Sequence, residues 1–300
     1  VIEACLDSIA AGAGRLAVEV IVVDNASTDA TRDLAAKRPD VQLVAQDANL
    51  GFAAAANVGL GIARGPALLL LNPDTAATPG AFERLVGALG RFPDVGLVAP
   101  TLASPTEATT RPPLAAWPTL GRMFRHHTPL KHVCRPRRWT PVADTPTTDG
   151  YLTGACLLIR RRTLEQVGPL DERYFFYLED VEYARRAVLN GWRVLWVRDA
   201  VVYHRGGEGG GRFDAAWRHW QFLRGARRYF GPSGGPAFVA TWTLFKLLHL
   251  LDLVVIATES GLKRPVYGAL GRRAHADKHR RRWTLAAGFL GRFAWRFARW

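Results

Sequence analysis

LLLLNPDT, residues Leu68 to Thr75, is the stretch on which the fold turns. Four consecutive leucines bounded by polar turn residues predict a strand buried on both faces, as in a helix-covered parallel sheet. A core helix is the competing assignment, but the run is short and Pro73 would break it. The strand then stops at Asn72 and leaves the Asp74 carboxylate just past its carboxyl end, where ligands bind in open α/β sheets. A carboxylate there suits a hard cation, Mg2+ or Mn2+, carrying a substrate diphosphate. Asn-Pro-Asp is equally a good turn sequence, so metal ligand and plain turn stand level at this point.

Upstream of that strand, Glu19–Val23 is a β-branched run ending in Asp24-Asn25, with Ser27 or Thr28 placed to cap a helix. Val41–Ala45 is a second strand, and Asn49-Leu50-Gly51 turns into an Ala-rich helix from Phe52 to about Arg64 that carries Asn57. Downstream, Thr78-Pro79 predicts a helix running to about Phe92, followed by a strand over Val95–Ala99. Pro100 to Thr148 dissolves into Pro, Arg, His and Thr, and a stretch of that length is functional or mobile. Regular structure resumes with a strand over Ala155–Arg160, introduced by Thr153-Gly154. The aromatic cluster Tyr174-Phe175-Phe176-Tyr177 leads to a helix from Glu179 to Asn190, where Gly191 stops it. Strands over Arg193–Val197 and Val201–Tyr203 follow, with His204 at the end. Strands alternating with helices at this spacing predict a largely parallel α/β sheet.

Glu179 and Asp180 are the sharpest chemical signal after Asp74. A carboxylate in a first helical turn is favoured by the helix dipole and stays ionised near neutral pH, the state a general base needs. Simple capping charge is the plainer explanation, as an ordinary polar role is for His204. Cys5, Cys134 and Cys156 form no paired spacing and no zinc motif, which fits a reducing compartment. The opening residues IEACLDSIA read as an amphipathic helix and not as a secretory signal.

Six stretches together resemble the family 2 glycosyltransferases of the GT-A fold: VVDNASTD (Val22–Asp29), NLGFAAAANVG (Asn49–Gly59), LLLLNPDT, TGACLLIRR (Thr153–Arg161), GPLDERYFFYLEDVEYARR (Gly168–Arg186) and NGWRVLWVRDAVVYHRGG (Asn190–Gly207). They stand in the family's order, and the NPDT and FFYLEDVEY forms look most like its bacterial rhamnosyltransferase branch. The resemblance implies a Rossmann-like, mostly parallel mixed sheet flanked by helices over residues 1–207, with the family's first strand expected upstream of the opening helix. It implies that Asp24, Asn25, Asn49, Asn72 and Asp74 hold the nucleotide sugar, that Asp74 and His204 hold a divalent cation, Mg2+ or Mn2+, and that Asp180 is the catalytic base. Glu179, Tyr151 and Gly154 fall on the acceptor side. The implied reaction is inverting transfer of a hexose, with L-rhamnose from dTDP-rhamnose first and a UDP-sugar as the alternative, to a lipid-linked saccharide in cell-wall or surface polysaccharide synthesis. A non-catalytic nucleotide-sugar-binding relative is the other alternative. Asn72 replaces the first Asp of the family's Asp-x-Asp motif and removes one charge from the metal site. The glycine-rich run after His204 is free enough to close over a diphosphate, with Arg205 and Arg212 able to pair with it, or to serve as a plain linker.

Charge divides the chain. Residues 1–204 hold 22 Lys and Arg against 21 Asp and Glu, whereas residues 205–300 hold 18 against 5. The last third, residues 208–300, is therefore expected to be a basic helical extension seeking an anionic membrane at the cytoplasmic face. The apolar run from Ala237 to Thr258 is long enough to span a bilayer, but Lys246, His249 and Asp252 interrupt it along one side at helical spacing, which favours a helix lying in the interface over one that crosses. Trp283 to Trp300 is expected to be an amphipathic anchor, with Arg292, Arg296 and Arg299 reading headgroups and Phe289, Phe293, Trp295, Phe297 and Trp300 entering the lipid. Nucleic-acid binding is the rival account of the charge, but no nucleic-acid motif accompanies it and long apolar faces do.

Overall fold

The structure is a computed structural model describing residues 1–105, 110–132, 139–206, 213–231 and 235–299, the side chains of residues 131 and 132 excepted. It divides into two compact units, Val1–Trp117 with Trp139–Gly209, and Pro118–Arg138 with Gly210–Trp300. Cys134, Arg212 and the glycine run of residues 207–212 lie outside the described residues.

The first unit opens with α1 (Ile2–Ala13), β1 (Val20–Asp24), α2 (Thr31–Ala36), β2 (Val41–Ala45) and α3 (Phe52–Ile62). Then come β3 (Ala67–Leu71), β4 (Thr75–Ala77), α4 (Ala81–Arg91), β5 (Val95–Ala103), β6 (Thr110–Arg111) and β7 (Leu114–Ala116). After α5 (Leu120–His127), which belongs to the second unit, the chain returns through β8 (Gly150–Leu152), β9 (Cys156–Arg160), α6 (Arg161–Val167), α7 (Glu179–Leu189) and β10 (Arg193–His204).

The main sheet runs in the order β3-β9-β5-β10-β4, with β6 on β5, while β1-β2 and β7-β8 pair separately. The expectation of a mostly parallel sheet needs correction. Only β1–β2 and β5–β10 pair in parallel among the described residues; β9 lies antiparallel between β3 and β5, and β4 antiparallel to β10. Leu68 is buried but Leu69, Leu70 and Leu71 are only half-buried, because β3 ends the order of this sheet instead of occupying its middle. The central position belongs to β5, buried along its whole length. Its side chains divide between two cores, alternating from Leu97 onward after an irregularity at Gly96 shifts the phase. Val95 and Val98 meet Phe82, Leu85 and Leu89 of α4, while Leu97 and Ala99 meet Tyr183, Ala184 and Ala187 on the opposite side.

Local chemistry moves two helix starts. Thr78 is not a cap, because its N–H and Oγ1 both donate to Val201 O and tie β4 to β10, so α4 begins at Ala81. Neither Ser27 nor Thr28 caps α2, which begins at Thr31 with Asp29 Oδ1 accepting from Thr31 N at 3.0 Å.

The second unit joins α5 and a 3-10 turn at Pro129–His132 to α8 (Ala215–Phe230), α9 (Pro236–Ala269), α10 (Arg273–Arg292) and α11 (Ala294–Arg299). Asp214 caps α8 by accepting from Trp217 N, and Arg292 donates to both of its oxygens at 2.7 Å. Two expectations are tested here, and the second is overturned. His249 and Asp252 are buried, not turned to water, and Lys246 Nζ donates to Ala298 O at 3.0 Å. His249 Nδ1 meets His127 O at 2.6 Å and its Nε2 meets His219 Nε2 at 2.9 Å, so the polar side of α9 is satisfied by neighbouring helices. Phe289, Phe293 and Phe297 do not face lipid either; they pack around Trp220 and His249 as the core of this unit, and Trp295 stays exposed. On its outer side α9 exposes aliphatic residues: Leu244, Leu247, Leu251, Val254, Val255 and Leu262 are between 47% and 69% exposed.

Candidate active site

Sheet direction gathers the chemistry at one edge. The carboxyl ends of β3 and β10 and the start of the antiparallel β9 lie at the same end of the sheet. Asp74 follows β3, Gly154 precedes β9, and His204 closes β10. The turn after β3 is held from several directions: Asn72 N donates to Ala155 O at 3.0 Å, Thr75 Oγ1 donates to Asn72 O at 2.6 Å, and Arg205 N donates to Asp74 O at 3.0 Å. Cys5 on α1 approaches the same turn, its Sγ 3.5 Å from Asn72 O. That burial pushes the Cys5 thiol up and leaves it a structural, unreactive group.

Asp74 is 4% exposed, and its Oδ1 stands 3.3 Å from His204 Nε2. The β4–β10 register makes this pair, since His204 lies opposite Thr75. No third ligating side chain joins them among the described residues. One carboxylate oxygen and one imidazole nitrogen form a donor set that fits a divalent cation whose remaining positions are filled by phosphate oxygens and water.

Asp180 attaches to the residue next to Ala155. Its Oδ2 accepts from Gly154 N at 2.8 Å and its Oδ1 from Val181 N at 2.8 Å. The Asp74 turn and the Asp180 carboxylate are thus anchored on successive residues of one short segment, Gly154-Ala155. A Cβ on Gly154 would stand 3.3 Å from the Asp180 Cβ, so this glycine admits the close approach. Tyr177 and Leu178, with φ of 71° and 72°, take the chain through two left-handed residues into α7. Strain of this kind gathers where a side chain must be held in one place. Trp117 and Tyr151 add an aromatic pair on the Gly154 side, ring centroids 6.1 Å apart, with Trp117 Nε1 donating to Thr148 O.

The two adjacent carboxyls differ. Burial pushes Glu179 up to about 8, and the Asp180 charge adds to the shift. Burial raises Asp180 too, and the N–H groups of Gly154 and Val181 offset only part of that rise. The expectation that the helix dipole keeps both ionised fails for Glu179, because desolvation outweighs a dipole worth about 0.3–1 kcal/mol. Glu179 Oε2 makes no hydrogen bond among the described residues, as suits a neutral buried acid.

The remaining predicted residues work as clamps. Asp24, 3% exposed, accepts from Ser27 N through both oxygens at 3.3 and 3.4 Å. Asn25 Nδ2 donates to Asn49 Oδ1 and Gly51 O, and Asn25 Oδ1 accepts from Leu50 N. These bonds tie the end of β1 to the turn before α3. Sequence reasoning missed the partner of that turn. Phe52 N donates to Phe175 O, and a Cβ on Gly51 would fall 2.6 Å from that oxygen. It also passed over the role of Asn57, whose amide donates to Leu170 O and Glu172 Oε1 and accepts from Leu170 N. A polar amide on an otherwise apolar helix was the available signal.

A family model described as "Glycosyl transferase family 2" matches residues 1–168. An N-acetylglucosaminyl-diphospho-decaprenol L-rhamnosyltransferase of Mycobacterium tuberculosis (strain CDC 1551 / Oshkosh) is 34% identical over 219 residues, 66% of this chain and 70% of the relative. The O-antigen biosynthesis protein RfbC of Myxococcus xanthus is 30% identical over 254 residues, 82% of this chain and 19% of its own length. Among solved structures, the mannosyltransferase PcManGT from Pyrobaculum calidifontis, in complex with GDP-Man and Mn2+, covers all of this chain and 83% of its own. Its TM-score of 0.54 at 21% identity shows the same GT-A fold.

Proposed function

This chain is a glycosyltransferase belonging to glycosyl transferase family 2, and on that premise we propose that it moves a hexose from a nucleotide sugar to a lipid-linked saccharide with inversion. The observation that carries the proposal is the anchoring of the Asp74 turn, through Asn72, and of Asp180 on successive residues at one edge of the sheet. L-Rhamnose from dTDP-rhamnose is the favoured donor, supported by the name of the Mycobacterium relative, which also points to a polyprenyl-diphosphate-linked acceptor in cell-wall or surface polysaccharide synthesis. Residues up to 207 would form the catalytic part and residues 208–300 a basic helical part meeting an anionic membrane at its cytoplasmic face.

Asp74 and His204 would hold a divalent cation. When bound, that ion supplies charge neutralisation on the donor diphosphate. The chain's own groups do the rest. Asp24, Asn25 and Asn49 lock the end of β1 against the turn before α3, which keeps the nucleotide side rigid, while Asn72 flanks the Asp74 turn. Asp180 takes the proton from the attacking acceptor hydroxyl at its carboxylate. Its hydrogen bonds to Gly154 N and Val181 N fix the carboxylate and favour its ionised form. Glu179, kept neutral by burial, lets Asp180 carry the single charge of the pair. Tyr151 and Trp117 offer aromatic faces on the acceptor side, and Arg205 stands beside Asp74 for the diphosphate.

A panel of dTDP- and UDP-sugars with Mn2+ and a polyprenyl-diphosphate-linked N-acetylglucosamine acceptor tests the donor and acceptor assignments. Asp180→Asn should leave donor affinity near normal while lowering turnover by about 10²–10⁴-fold. Turnover at the parental rate would remove Asp180 from the role of base.

A further inference from the structure

Helix α9 is apolar on both sides. Its packed side carries Trp242, Phe245 and Leu253 together with His249, Asp252 and Ser260, all buried, with His279 of α10 facing Ser260 at 3.3 Å. Its uncovered side carries Leu244, Leu247, Leu251, Val254, Val255, Leu262 and Val266, at steps of one, three, four or seven residues that keep one face of the helix. Twenty-two intervals of 1.5 Å, from position 244 to 266, make that stripe roughly 33 Å long. Scattered apolar residues on a surface need no partner, but a stripe of this length, interrupted on its face by the exposed Thr258, marks a surface that meets something apolar.

Charge identifies the partner. Residues 263–282 hold eight Lys and Arg against one acid, Asp277. Between α9 and α10, beside the Leu262 and Val266 end of the stripe, lies a cleft of about 560 Å³ lined by Arg264, Pro265, Gly268, Asp277, Arg280 and Trp283. Pro265 sits inside the helix and brings no N–H, so the Gly261 carbonyl loses its ordinary helical donor at this point. Trp283 packs against the backbone of Gly261, where a Cβ would stand 3.4 Å from its Nε1. Arg280 leans on Asp277 at 3.1 Å, and Arg264 is exposed. Two guanidiniums and an indole N–H around an open cleft suit a phosphate oxyanion. An adjoining aliphatic stripe suits the acyl chains of the same molecule, and Trp is at home at the boundary between them.

We infer that α9 and α10 form a bilayer-docking device in which the aliphatic stripe of α9 enters the acyl layer and the Arg264–Arg280–Trp283 cleft seats the phosphate of an anionic phospholipid. It deepens the membrane role proposed above and rests on it. The helix lies along the bilayer surface, because its packed side is fastened to α8 and α10 by polar groups that could not face lipid.

Co-sedimentation of the full chain with phosphatidylcholine vesicles, with and without phosphatidylglycerol, tests this in the absence of any sugar donor, so a failure of the transferase assignments leaves the result readable. Leu247→Glu with Leu251→Glu, both at exposed positions, should abolish binding to both vesicle types with the thermal midpoint unchanged. Arg264→Gln with Arg280→Gln should weaken binding to phosphatidylglycerol vesicles roughly thirtyfold, about fivefold or more for each arginine near the surface, and leave phosphatidylcholine binding as it was. Excess inorganic phosphate should not displace the protein; if it does, the cleft takes free phosphate and not a lipid. Undiminished phosphatidylglycerol binding by the arginine variant overturns the cleft assignment. A stripe variant that keeps its lipid binding, or that turns a dimer into a monomer without lipid, overturns the bilayer as the occupant.

Discussion

Replacing Glu179 by Gln keeps the side-chain size and deletes one proton equilibrium. In the folded chain burial and the neighbouring Asp180 hold this carboxyl near 8, against an ordinary 4.5. The native state therefore keeps a proton that the unfolded chain gives up above pH 4.5. The stability linked to that proton is fully present below about 4.5 and drains away as pH rises through 8. A gap of about 3.5 units at about 1.36 kcal/mol per unit sets a ceiling of roughly 5 kcal/mol. Asp180 shares the repulsion and the site relaxes, so about half of that is the expected loss. Urea unfolding followed by tryptophan fluorescence from pH 5 to 9 would show the parent losing about 2–3 kcal/mol more than Glu179→Gln. Parallel stability curves for the two proteins would refute a buried, neutral Glu179.

Asp74→Asn and His204→Ala should each weaken Mn2+ binding, read by electron paramagnetic resonance without donor, at least tenfold, since changes even one step removed from a metal cost that much. Gly51→Ala places a Cβ 2.6 Å from the Phe175 carbonyl at a φ of 92°, and should lower the unfolding free energy by about 2 kcal/mol or more. The second unit should lose stability in acid. Burial, with His249 and His127 nearby, lowers the His219 pKa well below its ordinary 6.5, so the unfolded chain takes up a proton that the folded one refuses as pH falls below that value. Unfolding at pH 5 and 7 should show the loss, and His219→Gln should blunt it.

Much of the candidate site was legible in the residues. A leucine run closed by Asn72-Pro73 put Asp74 beyond a strand end, two acids after an aromatic cluster opened a helix at Glu179, and His204 closed a strand. Strand direction was not legible. Cys156–Arg160 is as apolar a pentamer as a parallel strand would be, and its antiparallel seat between β3 and β5 depends on where the chain re-enters after a long excursion. Ionisation was misjudged for the same reason: the dipole at Glu179 is a local property, whereas its burial comes from distant segments. In α9 the spacing of Lys246, His249 and Asp252 correctly placed them on one side. Periodicity says which residues share a face and is silent about which face turns inward.

The second unit draws residues 118–138 from the middle of the chain, and His249 reaches back across 122 positions to the His127 carbonyl. During synthesis that segment emerges long before α8 or α9 exist, and must wait on the ribosome without its partners. A chain released before Phe245 strands α5 without the α9 ring that packs edge-on against Phe124. Assembly of this part is therefore a late and slow event, exposed to aggregation until the last helices arrive.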